Sequence, residues 1–315
     1  MRVENSQIAY TFPGQGSQSV GMGRQLAEAY PSAYDTFKES DEILGMHLTK
    51  LAWEGPADEL NDTVNTQPAL FVHSIAVLRV LEDLAPGVKP AFVAGHSMGE
   101  LSALVAAGCL AFIDGLHLVR TRGVLMKQAG ELSPGGMAAI LGLEIDEVDR
   151  ICTSSSAPGE PVQIANDNCP GQVVISGAAK ALERAMSLAS QAGAKRVIPL
   201  AVSIAAHSPL MEQAQELFSQ AVMRAPLSDP EVPIIGNVTA RPLRTVTDIQ
   251  SDLQAQLNSR VRWTESIQYL IASGVEVFLE IGNGSVLTGL LKRISKDAVG
   301  IPVGTPEDIT KILTS

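Results

Sequence analysis

Short runs of β-forming residues alternate with amphipathic helical stretches along the whole of this chain. The clearest β-type runs are residues 8–12, 91–94, 232–235 and 275–281. Alternation of this kind is typical of a mainly parallel sheet covered by helices. The sequence therefore predicts an α/β fold.

Residues 135–200 follow a different order. The hydrophobic pattern there predicts, in turn, a strand, a helix, two strands, a helix and a strand, at residues 137–141, 145–154, 162–165, 172–176, 178–192 and 195–200. That order is the ferredoxin-like one, a small sheet with two helices on one face. We predict a large core of residues 1–130 and 201–315, interrupted by a ferredoxin-like subdomain of residues 131–200.

The composition excludes several classes of function. A formal net charge of -11 argues against nucleic-acid binding, which depends on Lys and Arg. No uninterrupted apolar run approaches the roughly 18 residues of a membrane span, and the N-terminal segment lacks a signal sequence, so we predict a cytoplasmic protein. Three cysteines without CxxC spacing predict free thiols and no metal site. If the partner is an acidic protein, we expect basic residues around the mouth of the site.

The strongest local signal is a G-x-S-x-G motif, Gly95-His96-Ser97-Met98-Gly99, between a short apolar run and a helical stretch. A serine hydroxyl is a poor nucleophile, so it must be held away from the backbone beside a base, and a tight strand-to-helix turn does this. The N–H of Met98 is the expected donor to an oxyanion. A glycine-rich turn without chemistry is the plain alternative, and the position of the motif favours a nucleophile.

The base must come from one of five histidines: His47, His73, His96, His117 and His207. His207 follows the inserted subdomain in a loop of small residues, and the order serine then histidine agrees with hydrolase-like folds. His96 adjoins the serine and is assigned a structural or pocket role. No Asp or Glu is marked out to orient His207, so a main-chain carbonyl is the expected acceptor.

Arg122 is unusual because its neighbours on a predicted helix are all apolar: Leu118, Val119, Leu125 and Met126. Arg120 projects to the opposite side and is predicted to be a solvated surface charge. A buried guanidinium needs an anion, and its fork geometry suits a carboxylate. Spacing alone leaves two alternatives open, a substrate carboxylate or an internal ion pair.

The loop after the first strand contains Gly14-Gln15-Gly16, which could be mistaken for a phosphate-binding loop. It lacks the lysine and the third glycine of such loops. Gln15 is better explained as the second backbone donor to an oxyanion, opposite the serine turn. Further along, Gln67-Pro68-Ala69 is predicted to open an apolar helix that runs towards residue 84.

Motifs spread over nearly the whole chain together resemble one family, the malonyl-CoA:acyl-carrier-protein transacylases of fatty-acid synthesis. The segments that carry the resemblance are Thr11-Phe12-Pro13-Gly14-Gln15-Gly16-Ser17-Gln18, Gly95-His96-Ser97-Met98-Gly99-Glu100, Ala206-His207-Ser208-Pro209-Leu210-Met211, Gln67-Pro68-Ala69, Ala165-Asn166-Asp167-Asn168 and Gly236-Asn237-Val238-Thr239-Ala240. Such coverage in family order is more specific than any single motif.

The resemblance implies an α/β-hydrolase-like core, a malonyl-serine intermediate at Ser97 and transfer from malonyl-CoA to the phosphopantetheine thiol of acyl carrier protein. It also implies a role for each site residue. His207 is the base, Gln15 and Met98 donate to the oxyanion, and Arg122 holds the malonate carboxylate. A carbonyl near Arg262 orients the histidine, while the pocket is lined by Gln67, Asn166 and His96. We expect no cofactor and a monomeric protein.

Alternatives remain at this stage. A thioesterase would use the same serine turn but let water attack the acyl-serine. A catalytically silent acyl-binding subunit, or the acyltransferase of a polyketide or malonate-decarboxylase system, would share the motifs. Ala206 bears on the substrate, because in related domains a bulky aromatic before the histidine accompanies malonyl and smaller residues accompany branched units. Acceptance of methylmalonyl therefore stays open.

Overall fold

A computed structural model of the protein describes residues 7–202 and 204–314. Its strands are β1 (Ile8–Phe12), β2 (Phe92–Gly95), β3 (Gly135–Leu141), β4 (Val162–Cys169), β5 (Gln172–Ala178), β6 (Arg196–Pro199), β7 (Ile234–Ile235), β8 (Pro242–Leu243), β9 (Val277–Ile281) and β10 (Val299–Val303). Its helices are α1 (Arg24–Ala29), α2 (Pro31–Leu44), α3 (Leu48–Glu54), α4 (Ala57–Asn61), α5 (Thr63–Leu84), α6 (Gly99–Ala106), α7 (Phe112–Leu132), α8 (Ile145–Ser155), α9 (Ala179–Gln191), α10 (Glu212–Arg224), α11 (Val246–Gln256), α12 (Trp263–Ala272), α13 (Val286–Ile294) and α14 (Pro306–Leu313).

The larger sheet has the strand order β10-β9-β1-β2-β7-β8, with every pair parallel except β7 and β8. All residues of β1 and β9 are buried, which explains why their sequences are mostly apolar and do not alternate between apolar and polar residues. The predicted run at 232–235 shortens to β7, because Pro233 has no N–H to give to a sheet ladder.

The smaller sheet has the order β4-β5-β3-β6 and is antiparallel throughout. Helices α8 and α9 pack against it and enclose a separate apolar core. The predicted fold class, an α/β-hydrolase-like parallel core with a ferredoxin-like insertion, is confirmed. The domain boundaries at residues 130 and 200 stay a prediction.

Helix α5 begins earlier than the sequence predicted. It starts at Thr63, where the Asp62 side chain accepts a hydrogen bond from Val64 N, and Pro68 lies inside the helix. Proline cannot donate to the carbonyl four residues back. Arg120 replaces that donor, since its Nη1 lies 2.6 Å from Val64 O. The prediction that Arg120 is a solvated surface charge is therefore wrong.

The carboxyl ends of parallel strands meet at one edge of the sheet, and this edge carries the loops that follow β1 and β2. The smaller sheet is joined to the same region through β4. Gln163 Nε2 donates to His207 O at 2.8 Å, and Asp167 N donates to Val261 O at 2.9 Å. Strand β4 of the smaller sheet therefore contacts both the loop that carries His207 and the segment before α12.

The structure describes three features that relate to composition. Cys109, Cys152 and Cys169 are buried free thiols, as predicted. Within the described ranges, no helix is long and apolar enough to cross a lipid bilayer. Over the same residues, His, Cys, Asp and Glu side chains form no cluster suited to a metal ion.

Glu280 fixes the start of helix α13, and its loss should destabilise the fold. Its carboxylate, in β9 and only 1% exposed, accepts hydrogen bonds from Leu287 N at 2.9 Å and Thr288 N at 2.7 Å. The Glu280→Ala variant leaves both buried donors unsatisfied, so we expect a loss of about 2–4 kcal/mol in the free energy of unfolding. Urea denaturation measures this loss. In the control, the exposed Glu276→Ala, the change should stay within about 0.5 kcal/mol, and equal midpoints for the two variants would contradict the assignment.

Candidate active site

The G-x-S-x-G motif forms the sharp turn between β2 and α6. Ser97 has φ of 53°, in the left-handed region. A Cβ on Gly95 would lie 1.9 Å from Gly99 C, and a Cβ on Gly99 would lie 2.2 Å from Phe12 O. Any side chain at either glycine would therefore open the turn, which explains why both flanking positions are glycine.

Asn237 holds this turn from the side of β7. Its Oδ1 accepts a hydrogen bond from Ser97 N at 2.8 Å, and its Nδ2 donates to Gly95 O at 2.7 Å. Because Asn237 is buried, both bonds are shielded from water. The strained backbone of Ser97 is thus fixed by one amide side chain.

Ser97 and His207 meet across 110 positions of sequence. Ser97 Oγ lies 2.8 Å from His207 Nε2. His207 Nδ1 lies 2.8 Å from Gln256 O and 3.1 Å from Ser259 O. Because carbonyls only accept hydrogen bonds, Nδ1 carries the proton and Nε2 is free to accept one from the hydroxyl.

The carbonyl of Arg262 itself does not orient the histidine, whereas Ser259, close to it in the sequence, supplies one of the two carbonyls that do. Arg262 O accepts hydrogen bonds from Ser266 N and Ser266 Oγ within the first turn of α12. Gln256, in contrast, is the last residue of α11, where carbonyls have no partner inside the helix. The end of a helix therefore supplies the acceptor that a carboxylate supplies in a catalytic triad.

The environment of His207 predicts a distinctive pH dependence. Burial, and then the charge of Arg122, lower the pKa of His207 from 6.5 to about 3. Because the pKa is lowered, the imidazole stays neutral at mildly acidic pH. The acid limb of the pH–rate profile therefore moves to lower pH. We expect kcat/KM to be flat between about pH 5 and 7.5, measured by initial rates in buffers of constant ionic strength. An acid limb centred near the ordinary histidine value would contradict this prediction.

Arg122 lies beneath the same turn and is 1% exposed. Its Nη2 donates to Ser97 Oγ at 3.0 Å and to Gln256 Oε1 at 2.9 Å, and its Nη1 donates to Gln67 Oε1 at 2.7 Å. Burial lowers the pKa of Arg122 to about 10, which leaves it charged at neutral pH. No carboxylate among the described residues forms an ion pair with it, so the alternative of an internal ion pair is wrong.

A cavity of about 580 Å³ exposes these groups together. Its walls are formed by the loops that follow β1 and β2, by the smaller sheet, by α7 and α13, and by the loop that carries His207. They include Gln15, His96, Ser97, Arg122, Met137, Asn166, Asn168, Val174, Ala206, His207, Leu287 and Leu290. His96 Nε2 lies 2.8 Å from Asn168 Oδ1. Gln67 is fully buried and contacts Arg122 rather than lining the cavity, which corrects its predicted position.

The two backbone groups predicted to bind an oxyanion lie on either side of Ser97 in the fold. Gln15 is in the loop after β1, where its Oε1 accepts a hydrogen bond from Thr63 Oγ1 at 2.9 Å. Met98 precedes α6, with its side chain buried. Neither N–H donates a hydrogen bond to any residue that the structure describes. Their role at the oxyanion stays a prediction.

Basic side chains gather in a second cleft beside this cavity. The cleft, of about 530 Å³, is lined by Lys195, Arg196 and Arg293 together with Glu144. Arg293 Nη1 donates to Gln172 Oε1 at 2.5 Å, and Gln172 lines the cavity that holds Ser97. Arg293 therefore links the second cleft to the wall of the cavity, and Lys195 and Arg196 line that same cleft.

Sequence reasoning missed the polar residues that support the site, chiefly Gln256, Asp252 and Glu100. A usable signal was present in α11. Its buried residues are Ile249, Asp252, Leu253 and Gln256, so two polar side chains occupy the inward face of an amphipathic helix. The same observation had identified Arg122 in α7.

Comparison with known proteins settles the family. A model of the acyl transferase domain matches residues 9–305. The chain belongs to the acyl transferase family. Among members with curated names, a malonyl CoA-acyl carrier protein transacylase of Bacillus subtilis is 48% identical over 304 residues, covering 96% of this chain and 95% of the relative.

Solved structures of acyl transferases agree closely with this fold. An acyl carrier protein S-malonyltransferase from Vibrio cholerae has a TM-score of 0.94 and 44% identity, over 98% of this chain and 100% of that one. A malonyl-transacylase solved in complex with a type II PKS acyl-carrier protein has a TM-score of 0.95 and 41% identity, over 98% and 99%.

Proposed function

We propose that this acyl transferase moves a malonyl group from malonyl-CoA to the phosphopantetheine thiol of acyl carrier protein, as an S-malonyltransferase of fatty-acid biosynthesis. The observation that carries the proposal is the meeting of Ser97 Oγ, His207 Nε2 and the Arg122 guanidinium on one cavity. The relatives whose names specify malonyl and acyl carrier protein support the same substrates.

In the first half-reaction Ser97 is the nucleophile. His207 Nε2 accepts the hydroxyl proton while Oγ attacks the thioester carbonyl of malonyl-CoA. The N–H groups of Gln15 and Met98 stabilise the oxyanion of the tetrahedral intermediate. The carbon–sulfur bond then breaks, His207 returns the proton to the coenzyme A sulfur, and a malonyl ester remains on Ser97.

The second half-reaction is the reverse of the first with another thiol. The phosphopantetheine sulfur gives its proton to His207 and attacks the ester carbonyl. The carbon–oxygen bond to Ser97 breaks, and Ser97 Oγ recovers the proton. One thioester replaces another, so the reaction needs neither a metal nor an organic cofactor to drive it.

Arg122 selects the acyl group by pairing with the free carboxylate of malonate. Gln67 and Gln256 hold the guanidinium in one orientation by amide oxygens, which leave its charge unneutralised. His96 and Asn166 are polar residues that line the same cavity. Ala206 lines the same cavity with a small side chain, which leaves room for a branched acyl group such as methylmalonyl.

The adjacent basic cleft favours an acidic carrier protein as the partner. Lys195, Arg196 and Arg293 supply complementary charge beside the cavity on a chain whose net charge is -11. One relative has been solved with a polyketide carrier, so the identity of the carrier is part of what must be tested. A cytoplasmic location and a monomeric state complete the proposal.

Trapping the acyl-enzyme tests this function directly. Brief incubation with malonyl-CoA should add the mass of one malonyl group to the chain, measured by intact mass spectrometry and located on Ser97 by peptide analysis. Addition of phosphopantetheinylated acyl carrier protein should remove that mass and place it on the carrier.

Two outcomes would overturn the proposal. Release of free malonate without any carrier, as fast as transfer with one, would identify a thioesterase. Failure to form any acyl-protein with malonyl-, methylmalonyl- or acetyl-CoA would identify a subunit that binds acyl groups without reacting. A carrier lacking phosphopantetheine is the matched control, because it keeps the protein surface and lacks the thiol.

A further inference from the structure

Two carboxyl groups lie against each other in the interior beneath the active serine. Glu100 is in α6 and is 0% exposed, and Asp252 is in α11 and is 3% exposed. Their carboxyl groups accept hydrogen bonds from consecutive main-chain N–H groups, Glu100 from Asn237 N at 3.3 Å and Asp252 from Val238 N at 3.2 Å. Two negative charges buried this close together repel each other, so one of the two groups keeps its proton.

Asp252 receives more hydrogen-bond donors than Glu100, which accepts from Asn237 N and Gln256 Nε2 among the described residues. Three donors converge on Asp252, namely Val238 N, Thr239 N and Thr239 Oγ1, at 3.2 to 3.3 Å from Oδ1. These donors stabilise a negative charge on Asp252. Burial, and then the neighbouring Asp252, raise the pKa of Glu100 well above its ordinary value. Glu100 is the neutral member of the pair.

Gln256 connects this pair to the reactive groups. Its Nε2 donates to a carboxyl oxygen of Glu100 and to Ser97 O, and its Oε1 accepts hydrogen bonds from Arg122 Nε at 3.2 Å and Nη2 at 2.9 Å. The amide cannot be reversed, because its NH₂ would then face the donors of Arg122. Glu100 therefore fixes the orientation in which an amide oxygen meets the guanidinium.

We propose that Glu100 is a positioning residue that acts through Gln256, holding Arg122 in place as a neutral acid without compensating its charge. The charged groups that face Glu100 are Asp252 and Arg122. An ionised Glu100 would bring a negative charge to within one amide of Arg122 and weaken its attraction for a substrate carboxylate. The substrate consequence rests on the proposed function, whereas the protonation state does not.

Glu100→Gln tests the proposal, because glutamine has the same shape, accepts from Gln256 and donates to Asp252. We expect its KM for malonyl-CoA and its preference for malonyl over acetyl to stay within about threefold of the wild-type values. In Glu100→Met, which has similar size but neither hydrogen bond, the KM for malonyl-CoA should rise about tenfold with a smaller change in kcat. Equal KM values for the two variants would overturn the positioning role.

Gln256→Glu is the complementary variant. It places a carboxylate against Arg122 while the main-chain carbonyl that holds His207 is kept. We expect a loss of about tenfold or more in kcat/KM for malonyl-CoA with acetyl transfer retained. An unchanged preference would overturn the view that the charge of Arg122 must stay uncompensated, and this variant serves even if Glu100→Met does not fold.

Infrared difference spectroscopy separates this inference from the enzymatic activity. The wild-type protein at neutral pH should show the C=O stretching band of a protonated carboxyl, and this band should disappear in Glu100→Gln. Loss of a carboxylate band instead would mean that Glu100 is ionised, and the proposal would fail. If the band disappears as expected but no malonyl transfer is found, the proposed function is wrong and the assignment of a protonated Glu100 is still supported.

Discussion

The Ser97→Ala variant is expected to transfer malonyl at least about ten-thousand-fold more slowly than the wild-type chain. The variant lacks the only oxygen that the structure places 2.8 Å from His207 Nε2 among the described residues, so no acyl-enzyme can form. Initial rates of transfer to the carrier measure the loss, and intact mass spectrometry should find no malonyl adduct. A Ser97→Ala protein that still acquires the adduct would disprove the assignment of the nucleophile.

Ser102 provides a matched control for that experiment. It lies on α6, which begins just after the serine turn, and its buried Oγ has no hydrogen-bond partner among the described residues. Ser102→Ala should therefore keep kcat within about twofold. His207→Ala should be about as slow as Ser97→Ala, and the double variant should be no slower, because the two groups act as one unit.

The Arg122→Ala variant should change the choice of substrate rather than abolish catalysis. A charge-assisted, two-pronged hydrogen bond to a carboxylate contributes about 1.5–3 kcal/mol, so kcat/KM for malonyl-CoA should fall about ten- to a hundredfold. Acetyl-CoA has no carboxylate to lose, and its transfer should be unchanged or faster. A competition assay with malonyl-, methylmalonyl- and acetyl-CoA measures the ratio.

Arg120→Ala is the control for selectivity. Arg120 is two residues from Arg122 but donates to Val64 O and Asn65 Oδ1 instead of facing the cavity. This variant should be less stable than the wild-type chain and have the same preference for malonyl.

Removal of the Arg122 charge in Arg122→Ala should also raise the pKa of His207, since that charge lowers it in the wild-type chain. An unaltered malonyl preference in Arg122→Ala would contradict its role.

The sequence predicted those parts of the molecule that depend on local pattern. The order of apolar runs along the chain predicted both sheets. The glycines on either side of Ser97 predicted the turn, because a side chain at either position would clash with the backbone. Arg122 was found because a charge on an apolar helix face is costly unless something meets it. Each of these features was predicted from residues that are neighbours in the sequence.

Features that depend on contacts between distant segments were missed or misplaced. The carbonyl that holds His207 comes from Gln256, and nothing in the sequence indicates that the end of α11 abuts that loop. Helix α5 was predicted to open at Gln67-Pro68-Ala69, yet it begins at Thr63, and Arg120 of another helix supplies the donor that Pro68 lacks. Partners of this kind become visible only when the chain is folded.

The two main-chain carbonyls behind His207 also indicate which chemistry suits this site. A neutral carbonyl stabilises an imidazolium less than a carboxylate does, so the site gives modest help to a strongly basic leaving group such as an amine. A thiol, with a pKa near 8.5, departs easily without that help. The arrangement therefore suits reversible acyl exchange between two thioesters of nearly equal energy. It is poorly suited to the cleavage of an amide bond.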